Sequence, residues 1–536
     1  MKAYEAGGGI KTTSRRLRRR LKRPRSWLIA ICILIPLALA YRDSASPQTA
    51  VIALNPSVAF QTMNGWEATD QSGQDDSPFF PQYQSTLFDR AVNDLGINRI
   101  RLEIKNPSGS TDFDFAVLDR NIEAIVLPLR QRLQQRGESL WLNVCYVGFR
   151  VSGAFRTNPI AYARAVLSAY RHIQSKYGFT PDSWEVLLEP DSGSNSWDGT
   201  EIAKAMVAAG DLLSANGFTV RFVAPSLFDA NRTVTYFNKM QAVPEALRYL
   251  WEFSFHSYRN PGDGTLRDIG AIQAQYGINT SQLEFIGADY ELLHRDLKLA
   301  RVSAWQQYTL AYPAKDNGAQ YYLIEAGNVQ AAARTKFLRQ YFRHIRRGAL
   351  RIEATSTNTA FDPLAFINAN GRYVVVVKAD SGGDFSIQGL PDGTYGVSYT
   401  TESEDNIDLP DSNVVSRGDL HTRIPARGAI VVYAKSTTGE VPVGQARLDR
   451  CKVVRTVSGG FKLILYGENF KLGATVTVGG ERPNTVKFKA RAAPDQDIFQ
   501  KLKVKGGFCE GLPGPIIVTN PGSSPSLPMQ CNASCD

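Results

Sequence analysis

Two apolar segments of this chain end in carboxylic acids, the side chains best suited to catalysis here. The segment WEVLLEPD, residues 184–191, is apolar until it reaches Glu189. The segment LEFIGADYELL, residues 283–293, carries Asp289 and Glu291. Two carboxyl groups about 5 to 5.5 Å apart can cleave a glycosidic bond with retention, one as acid/base and the other as nucleophile. These three acids are therefore the candidate catalytic residues.

The geometry of a β-strand determines how such acids are presented. Because side chains alternate between the two faces of a strand, Asp289 and Glu291 are expected on one face, where both could point into a pocket. Glu189 also has a simpler interpretation, in which a strand leaves the core, Pro190 ends it, and the acids lie in solvent. The neighbouring residues have to decide between the two interpretations.

Further polar and aromatic residues stand at the ends of the predicted strands. The candidates for substrate binding are Trp66, Glu67, Arg101, Asn143, Tyr146, His256, Tyr258 and Trp305. Arg101 could orient a carboxylate, aromatic rings could stack on sugar rings, and His256 or Tyr258 could hold the nucleophile. Residues of these types are also common as core residues or loop anchors. Their recurrence at the same end of several strands favours a site.

The elements that would position these residues are strands that alternate with helices between about 51 and 310. Amphipathic helices are predicted, for example, over 159–178 and 201–217. The predicted strands lie near 60–66, at 97–104, 139–147, 184–189, 219–225, 250–258 and 283–290, and near 302–308. Eight strands in this α/β alternation predict a (β/α)₈ TIM barrel, whose active site lies at the carboxyl ends of the strands.

The pattern changes near residue 349, where short β segments alternate with turns. They predict an antiparallel side β-sandwich with strands at 349–356, 372–378, 384–388, 395–400 and 429–434. After a linker, the last region is again all-β. The predicted organisation is an N-terminal arm and signal at 1–44, a barrel at 51–345, a sandwich at 346–435, a linker at 436–446 and an all-β domain at 447–536.

The net charge of +10 is concentrated at the N-terminus. Residues 1–25 hold ten Lys and Arg residues and one acid, which leaves a net charge of +1 for the rest of the chain. A nearly neutral body does not indicate nucleic-acid binding. The arm leads into the apolar segment 27–41, which predicts export. Either the segment is cleaved before Tyr41 and the protein is secreted, or it stays as a membrane anchor that holds the protein on the outer side of the cytoplasmic membrane.

Cysteine positions agree with export. Four cysteines fall in the last 86 residues and are candidates for two disulfide bonds, with three pairings open: Cys451, Cys509, Cys531 and Cys535. Cys145 lies in an apolar segment and is expected to be a buried free thiol. The chain shows no zinc-ligand spacing, so neither a metal nor a cofactor is expected.

Several segments resemble glycoside hydrolase family 30 and its clan A relatives. FQTMNGWEATD (60–70) resembles the family's F-Q-x-I-x-G-F-G opening, HSY (256–258) its H-x-Y, and EPD (189–191) the end of its N-E-P-D acid/base motif. Residues 341–380 are similar to the segment that leads from the last barrel helix into a side β-sandwich. The resemblance spans about 51–435 and implies that a first strand near 51–55 joins the sandwich.

Carried over by position, the resemblance implies Glu189 as general acid/base and Asp289 as nucleophile, with Glu291 as the alternative. The chain departs from the family twice. Asp289 stands where the family has a glutamate, and Leu188 replaces an asparagine that hydrogen-bonds the 2-hydroxyl of the sugar. Both departures bear on activity more than on the fold.

The C-terminal region resembles another family. LILYGENFKLGATVTVGG (463–480) and IIVTNPGSSPS (516–526) are similar to the immunoglobulin-like IPT/TIG domain. The resemblance implies an immunoglobulin-fold domain that serves as a spacer, or else as a module that binds carbohydrate or protein.

These observations support an exported retaining β-glycosidase that acts on a polysaccharide or oligosaccharide. The competing hypothesis is a surface protein that binds carbohydrate or mediates adhesion without catalysis, which Asp289 and Leu188 favour. A purely structural role is disfavoured by the acids and aromatic residues gathered at strand ends. Nothing in the sequence indicates the oligomeric state.

Overall fold

A computed structural model describes residues 50–437 and parts of the C-terminal region. The first range has gaps at 108–109, 150–151, 194–195 and 313–314. The C-terminal residues described are 446–455, 461–472, 474–478, 485–491, 498–506, 516–519, 526 and 529. The N-terminal arm and segment 27–41 lie outside this part, so export and anchoring remain predictions. None of the described helices is both long and apolar enough to cross a membrane.

The first strand, β1 (Ala50–Thr62), does not belong to the barrel. The barrel consists of eight parallel strands that close when the last pairs with the first: β2 (Gly65–Thr69), β3 (Arg99–Ile104), β4 (Trp141–Tyr146), β5 (Ser183–Glu185), β6 (Phe222–Asp229), β7 (Leu250–Tyr258), β8 (Asn279–Glu284) and β9 (Val302–Trp305). The predicted TIM barrel is therefore confirmed. Three short strands extend its sheet beyond β2: β10 (Thr309–Tyr312), β11 (Gln320–Glu325) and β12 (Asn328–Ala331).

Helices on the outside of the barrel connect the strands. They are α1 (Phe80–Asp89), α2 (Phe115–Asn121), α3 (Leu127–Gln135), α4 (Ser152–Arg156), α5 (Pro159–Tyr177), α6 (Gly199–Ala215), α7 (Thr233–Gln241), α8 (Ala246–Tyr249), α9 (Asp263–Tyr276), α10 (Tyr290–Arg295) and α11 (Thr335–Phe342). A 3₁₀ turn covers Ala230–Arg232, and π-helical turns follow α1, α2 and α10 at Arg90–Leu95, Ile122–Val126 and Asp296–Ala300.

Helix α6 shows how local chemistry sets these boundaries. The Asp198 side chain accepts hydrogen bonds from the backbone N–H groups of Thr200 and Glu201, and the Glu201 side chain accepts one from the N–H of Asp198. This capping box satisfies N–H groups that the first helical turn leaves open. The apolar face of the helix, including Ile202 and Met206, is buried against the barrel.

The seventh barrel strand differs from its prediction in a way that matters for the site. The sequence predicts a strand over 283–290, but β8 runs from Asn279 to Glu284. The segment NTSQLE is largely polar, so apolar content does not reveal it. Residues 280–284 are nevertheless buried. The Thr280 hydroxyl donates to the carbonyl of Ala300, and Glu284 pairs with Arg101 across the barrel interior.

The barrel interior contains a buried charged layer. The guanidinium of Arg99 on β3 donates two hydrogen bonds of 2.7 Å to Glu252 on β7, and its Nε donates to Glu67 on β2. Strands β3 and β7 are not neighbours, so this pair spans the interior. All three side chains are fully buried. Burial raises the pKa of Glu67 to about 7, although the charge of Arg99 acts in the opposite direction.

The side β-sandwich follows the barrel. One nine-stranded sheet has the order β18-β17-β20-β15-β14-β13-β1-β16-β19, with β13 (Leu350–Ser356), β14 (Phe361–Ile367), β15 (Tyr373–Ala379), β16 (Gly383–Gln388), β17 (Gly393–Thr401), β18 (Ile407–Val414), β19 (Leu420–Ile424) and β20 (Gly428–Thr437). Strand β1 pairs antiparallel with β13 and parallel with β16. The N-terminal strand is therefore part of the sandwich.

The C-terminal region is all-β. It contains a four-stranded sheet in the order β21-β22-β25-β24 and the pair β23-β26, made of β21 (Arg447–Arg455), β22 (Phe461–Lys471), β23 (Thr475–Val478), β24 (Thr485–Arg491), β25 (Ile498–Gly506) and β26 (Ile516–Thr519). Its immunoglobulin-like class remains a prediction.

Only part of the cysteine prediction falls on described residues. Cys145 is a buried free cysteine, as expected. Cys451 is disulfide-bonded. Cys509, Cys531 and Cys535 lie outside the described part of the chain, so the pairing stays a prediction.

We expect Glu252→Gln to lower the free energy of unfolding by about 3 kcal/mol, because it leaves the buried Arg99 guanidinium without its bidentate partner. Urea unfolding of the purified protein measures this. Asp384→Asn breaks an exposed ion pair, with Arg423 at 3.9 Å, and serves as the control, with an expected change below about 0.5 kcal/mol. Equal effects of the two substitutions would contradict a structural role for the buried layer.

Candidate active site

Glu189 lies just beyond β5, at the carboxyl end of the barrel, with a strained backbone. Its φ angle is +46°, in the left-handed region that non-glycine residues rarely adopt, and Pro190 follows it. Its N–H donates to the carbonyl of Ser226 at 3.1 Å, which helps to hold this conformation. Strain of this kind persists where the surrounding structure fixes it, and it is common at functional sites. The backbone thus supports the view of Glu189 as a site residue.

His256 lies next to Glu189. Its Nδ1 is 3.1 Å from Oε1 of Glu189, and the imidazole ring is fully buried near the end of β7. Burial lowers the pKa of His256, but the hydrogen bond to Glu189 and the charge of Glu284 more than offset this, so the pKa lies above its ordinary value. Nε2 of the ring has no hydrogen-bond partner among the described residues. A proton can therefore be shared between His256 and Glu189.

Glu284, the last residue of β8, is the second carboxylate of the site. Arg101 on β3 donates from Nη2 to its Oε2 at 2.5 Å, across the barrel interior. The hydroxyl of Tyr258, at the end of β7, donates to its Oε1 at 3.3 Å. Two donors, one of them a buried cation, stabilise the ionised form of a carboxylate. Burial, then the charge of Glu284, raises the pKa of Tyr258, so its hydroxyl stays protonated and able to donate.

The three side chains converge. One ligand atom each from Glu189, His256 and Glu284 lie within 4.8 Å of one another. By residue type this group could hold a metal ion. However, Arg101 already neutralises Glu284, and its positive charge opposes binding of a cation at the same place. The arrangement suits acid–base and nucleophilic chemistry better than metal binding.

Asp289 and Glu291 do not join this group, which corrects the choice of second carboxylate. Because β8 ends at Glu284, the chain has turned by residue 289, and the assumed strand alternation does not apply there. Asp289 is the N-cap of α10 and accepts hydrogen bonds from the N–H groups of Glu291 and Leu292. Glu291 is partly exposed and pairs with Arg427 at the end of the sandwich. Both side chains have structural partners away from Glu189.

Glu284 is visible in the sequence as an acid within a short apolar run, but the family motif favours Asp289 instead. The acid lies in LEFIG, where it interrupts an apolar run and resembles a buried polar residue in the middle of a strand. Matching the family's T-E-Y-G motif to Ala288–Glu291 places the nucleophile five residues downstream. The register of β8 against β7, which places Glu284 opposite His256, is what identifies it.

Two of the predicted aromatic residues belong to the core instead of the site. Trp66 is fully buried, stacks on Phe342 of α11 with ring centres 4.3 Å apart, and donates to the carbonyl of Ile345. Trp305 is also fully buried and donates from Nε1 to Asp296 at 3.0 Å. Short barrel strands alternate strictly between interior and exterior, and these rings point outward, toward the helices. Their expected roles in substrate binding are therefore wrong.

Glu67 and Asn143 point into the barrel but lie below the site. Glu67 belongs to the charged layer with Arg99. Asn143 donates to Glu185 at 3.1 Å and accepts from Ser183 at 2.9 Å. Both side chains are fully buried and hydrogen-bonded to protein partners. They support the site from beneath and are not available to a substrate.

Tyr146 and Leu188 contribute apolar surface near Glu189. Tyr146 is buried at the end of β4, packs edge-on against Phe113, and its hydroxyl has no partner among the described residues. Leu188 is nearly buried, and its N–H donates to the carbonyl of Tyr146 at 2.9 Å. Leu188 therefore lies beyond the end of β5, in the segment that leads to Glu189, and its side chain offers no hydrogen bond.

The structure adds residues at the rim that sequence reasoning does not find. Glu103 lies on the same face of β3 as Arg101, one step nearer the rim, and pairs with Lys105 at 2.8 Å. Tyr308 follows β9, with its ring centre 5.7 Å from the Arg101 guanidinium. Asp70 is buried beside Glu103, and burial, then the charge of Glu103, raises its pKa. Strand alternation from Arg101 could have found Glu103.

No protein-family model matches the sequence. No curated protein matches it either. Solved structures do resemble the chain. The catalytic domain of GH30 xylanase C from Talaromyces cellulolyticus has a TM-score of 0.57 at 17% identity, covering 72% of this chain and 100% of that domain.

Two further solved structures have similar TM-scores and sequence identities. A GH30 endoxylanase from Clostridium papyrosolvens has a TM-score of 0.55 at 14% identity, covering 72% of this chain and 100% of that one. An endo-β1,6-glucanase has a TM-score of 0.52 at 15% identity, covering 72% and 94%. The barrel and side sandwich have the fold of glycoside hydrolase family 30. At these identities the likeness establishes the fold.

We expect the pKa of His256 to fall in the Glu189→Gln variant. The hydrogen bond to a carboxylate is lost while the burial of the ring remains, so the value should drop below the ordinary one of about 6.5. Nitrogen chemical shifts of the imidazole, followed by NMR across pH, measure this. Glu291→Gln is the control and should leave His256 unchanged. A His256 titration that is the same in Glu189→Gln and the parent would contradict the shared proton.

Proposed function

We propose that this protein is an exported retaining glycoside hydrolase that cleaves β-linked glycans, with Glu189 as acid/base and Glu284 as nucleophile. The observation that carries the proposal is the separation of the two carboxyl groups. Their closest ligand atoms lie within 4.8 Å. Retaining enzymes place the two groups about 5 to 5.5 Å apart, whereas inverting enzymes need about 6.5 to 9.5 Å to fit a water molecule between them.

The surroundings of the two acids support different roles. Glu284 accepts hydrogen bonds from Arg101 and Tyr258, which favour a carboxylate that is ready to attack. Glu189 shares a proton with His256 and directly follows the buried Leu188. Two carboxyl groups whose environments differ in this way suit the division into a nucleophile, Glu284, and an acid/base, Glu189.

In the first step, an oxygen of Glu284 forms a bond to the anomeric carbon as the glycosidic bond breaks. Glu189 gives its proton to the departing oxygen. In the second step, the ionised Glu189 removes a proton from water, whose oxygen attacks the same carbon, and the bond to Glu284 breaks. The second inversion restores the original configuration. His256 positions Glu189 and exchanges the proton with it between the steps.

Arg101 has a positioning role in this scheme. Besides Glu284, its guanidinium donates to the hydroxyl of Thr69 at 3.1 Å and to the carbonyl of Leu283 at 3.2 Å, so its orientation is fixed. Above it, Glu103, Lys105 and Tyr308 are close enough to the rim to hydrogen-bond sugar hydroxyls. Xylan and β1,6-glucan, the substrates in the names of similar structures, are the first polymers to test.

A second candidate function is carbohydrate binding without turnover. The observation that favours it is Leu188, which provides no hydrogen bond to a sugar hydroxyl next to the acid/base. In retaining enzymes, a hydrogen bond to the 2-hydroxyl strengthens in the transition state. A barrel that lacks it could still bind a glycan through its rim.

We expect hydrolysis of an activated aryl β-glycoside or of a β-linked polysaccharide by the purified protein, with retention at the anomeric carbon. Glu284→Gln should reduce kcat/KM by about 10⁴-fold or more, since the nucleophile is removed. Glu189→Gln should reduce it by about 10²- to 10⁴-fold, and less for a substrate with a good leaving group. Reducing-sugar assays and NMR of the first-formed anomer measure this.

The chain supplies matched controls for this experiment. Asp289→Asn keeps a good N-cap, and Glu291→Gln breaks only a partly exposed ion pair, so both should stay within about twofold of the parent. Inactivity of Asp289→Asn together with an active Glu284→Gln variant would overturn the assignment of the nucleophile. Glycan binding by the parent, with no turnover on any substrate, would instead support the binding protein.

We also expect that a chelator leaves this hydrolysis unchanged. The carboxylate pair performs the chemistry, and Arg101 already balances the charge of Glu284. Dialysis against EDTA, followed by the same assay with and without added Zn²⁺, measures this. Loss of activity on dialysis and its recovery with Zn²⁺ would mean that Glu189, His256 and Glu284 hold a metal ion.

A further inference from the structure

One face of the C-terminal four-stranded sheet is densely basic. In strand register, the first row across β21, β22, β25 and β24 is Arg450, Tyr466, Lys501 and Lys489. The next row is Lys452, Ile464, Lys503 and Lys487, and beside it Lys462 lies opposite Lys505. We call this surface the lysine face, with the cations Arg450, Lys452, Lys462, Lys487, Lys489, Lys501, Lys503 and Lys505.

The opposite face of the sheet explains why these side chains must point outward. Leu463, Leu465, Leu502 and Val504 alternate with the cations along β22 and β25 and are fully buried in the core of this region. Because side chains alternate across a strand, the cations share the outer face. Five of the eight are exposed and the other three are partly exposed.

The lysine face is not neutralised within the described part of the chain. None of its eight cations forms an ion pair with another described residue, whereas Lys239, Lys298 and Lys435 elsewhere each pair with an aspartate. Residues 447–536 contain 13 Lys and Arg residues against 7 acids, a net charge of +6. Residues 26–446 carry −5, so the near-neutral total conceals a basic C-terminal region.

The close spacing of these cations lowers the folding stability of the C-terminal sheet. Three pairs of lysines lie directly across from each other on neighbouring strands: Lys462 and Lys505, Lys487 and Lys503, and Lys489 and Lys501. Like charges in this position repel. The charge of Lys462 lowers the pKa of Lys503, near the middle, with smaller contributions from desolvation and from the charges of Lys501 and Lys489. A partner of opposite charge would relieve the repulsion.

The arrangement of charges and rings on the lysine face limits the class of anionic partner that it can bind. Strands about 4.8 Å apart, with outward side chains about 6.6 to 6.8 Å apart along each, form a regular grid of cations that suits an extended polymer with regularly repeated negative charges. Single-stranded nucleic acid is usually bound on free aromatic rings. Among the described side chains of the lysine face there is one ring, Tyr466, and it is already in contact with Arg450 at 4.0 Å and Lys501 at 4.8 Å. Ile464 and Tyr466 are half-buried, so the described side chains of the lysine face include no exposed apolar residue to insert into a bilayer.

We propose that the lysine face binds an anionic polysaccharide whose sugar units carry carboxylate groups, and so holds the rest of the protein against that polymer. This function is separate from the barrel and does not require the barrel to be active. Binding is dominated by charge, so it weakens as the salt concentration rises. The C-terminal region is then a targeting module, in addition to any role as a spacer.

The test measures binding of the purified full-length protein to polygalacturonate, with methyl-esterified polygalacturonate as a matched uncharged polymer. Binding to the acidic form is expected to be at least tenfold tighter and to weaken steeply between low and high salt. The variant Lys487→Gln/Lys489→Gln/Lys503→Gln should lose at least tenfold in affinity. Lys239→Gln/Lys298→Gln/Lys435→Gln, with the same change in net charge, should lose less than twofold.

Folding of the variant is checked separately. Removing like-charge pairs should leave Tm unchanged or raise it, so a loss of binding would not arise from unfolding. Equal binding to both polymers, or equal losses in the two triple variants, would overturn the proposal. Tighter binding to vesicles with anionic lipids, or to single-stranded DNA, than to polygalacturonate would overturn it in favour of a membrane or a nucleic acid.

Discussion

The candidate site depends on one buried cation, the guanidinium of Arg101. It crosses the barrel interior from β3 to Glu284 on β8 and is held by Thr69 and Leu283 at the same time. A buried charge is tolerated only when it is paired and hydrogen-bonded, so Arg101 and Glu284 fix each other. Glu284 in turn accepts a hydrogen bond from Tyr258 and lies opposite His256, which contacts Glu189. The layer of Arg99, Glu67 and Glu252 below supports this arrangement.

Much of the fold can be predicted because it follows from periodicity. Alternating strands and helices indicate a barrel, and a change to short strands indicates the sandwich. The site can be predicted only in part. Glu189, His256, Tyr258 and Arg101 are found because they stand within or at the end of predicted strands that are otherwise largely apolar. Glu284 escapes prediction because β8 is polar and begins four residues before the predicted strand. Trp66 and Trp305 are misassigned because sequence alone does not say which face of a short strand points outward.

The basic C-terminal face is missed in the sequence for a different reason. A net charge sums over regions that function separately, so the negative barrel and sandwich cancel the positive C-terminal region. Only strand register shows that the C-terminal lysines share one face. The chain thus combines a neutralised site, in which each charge has a partner, with a surface whose cations repel one another. The first arrangement suits chemistry on a glycan, and the second suits attachment to a polyanion.

The central claim is that Glu284 is the nucleophile opposite Glu189. Incubating the protein with 2-deoxy-2-fluoro glycosides that carry an activated leaving group, followed by mass spectrometry of the intact protein and its peptides, tests this most directly. We predict a covalent glycosyl group on Glu284 that is absent in Glu284→Gln. A label on Asp289 or Glu291, or turnover with inversion and no label, would contradict this assignment.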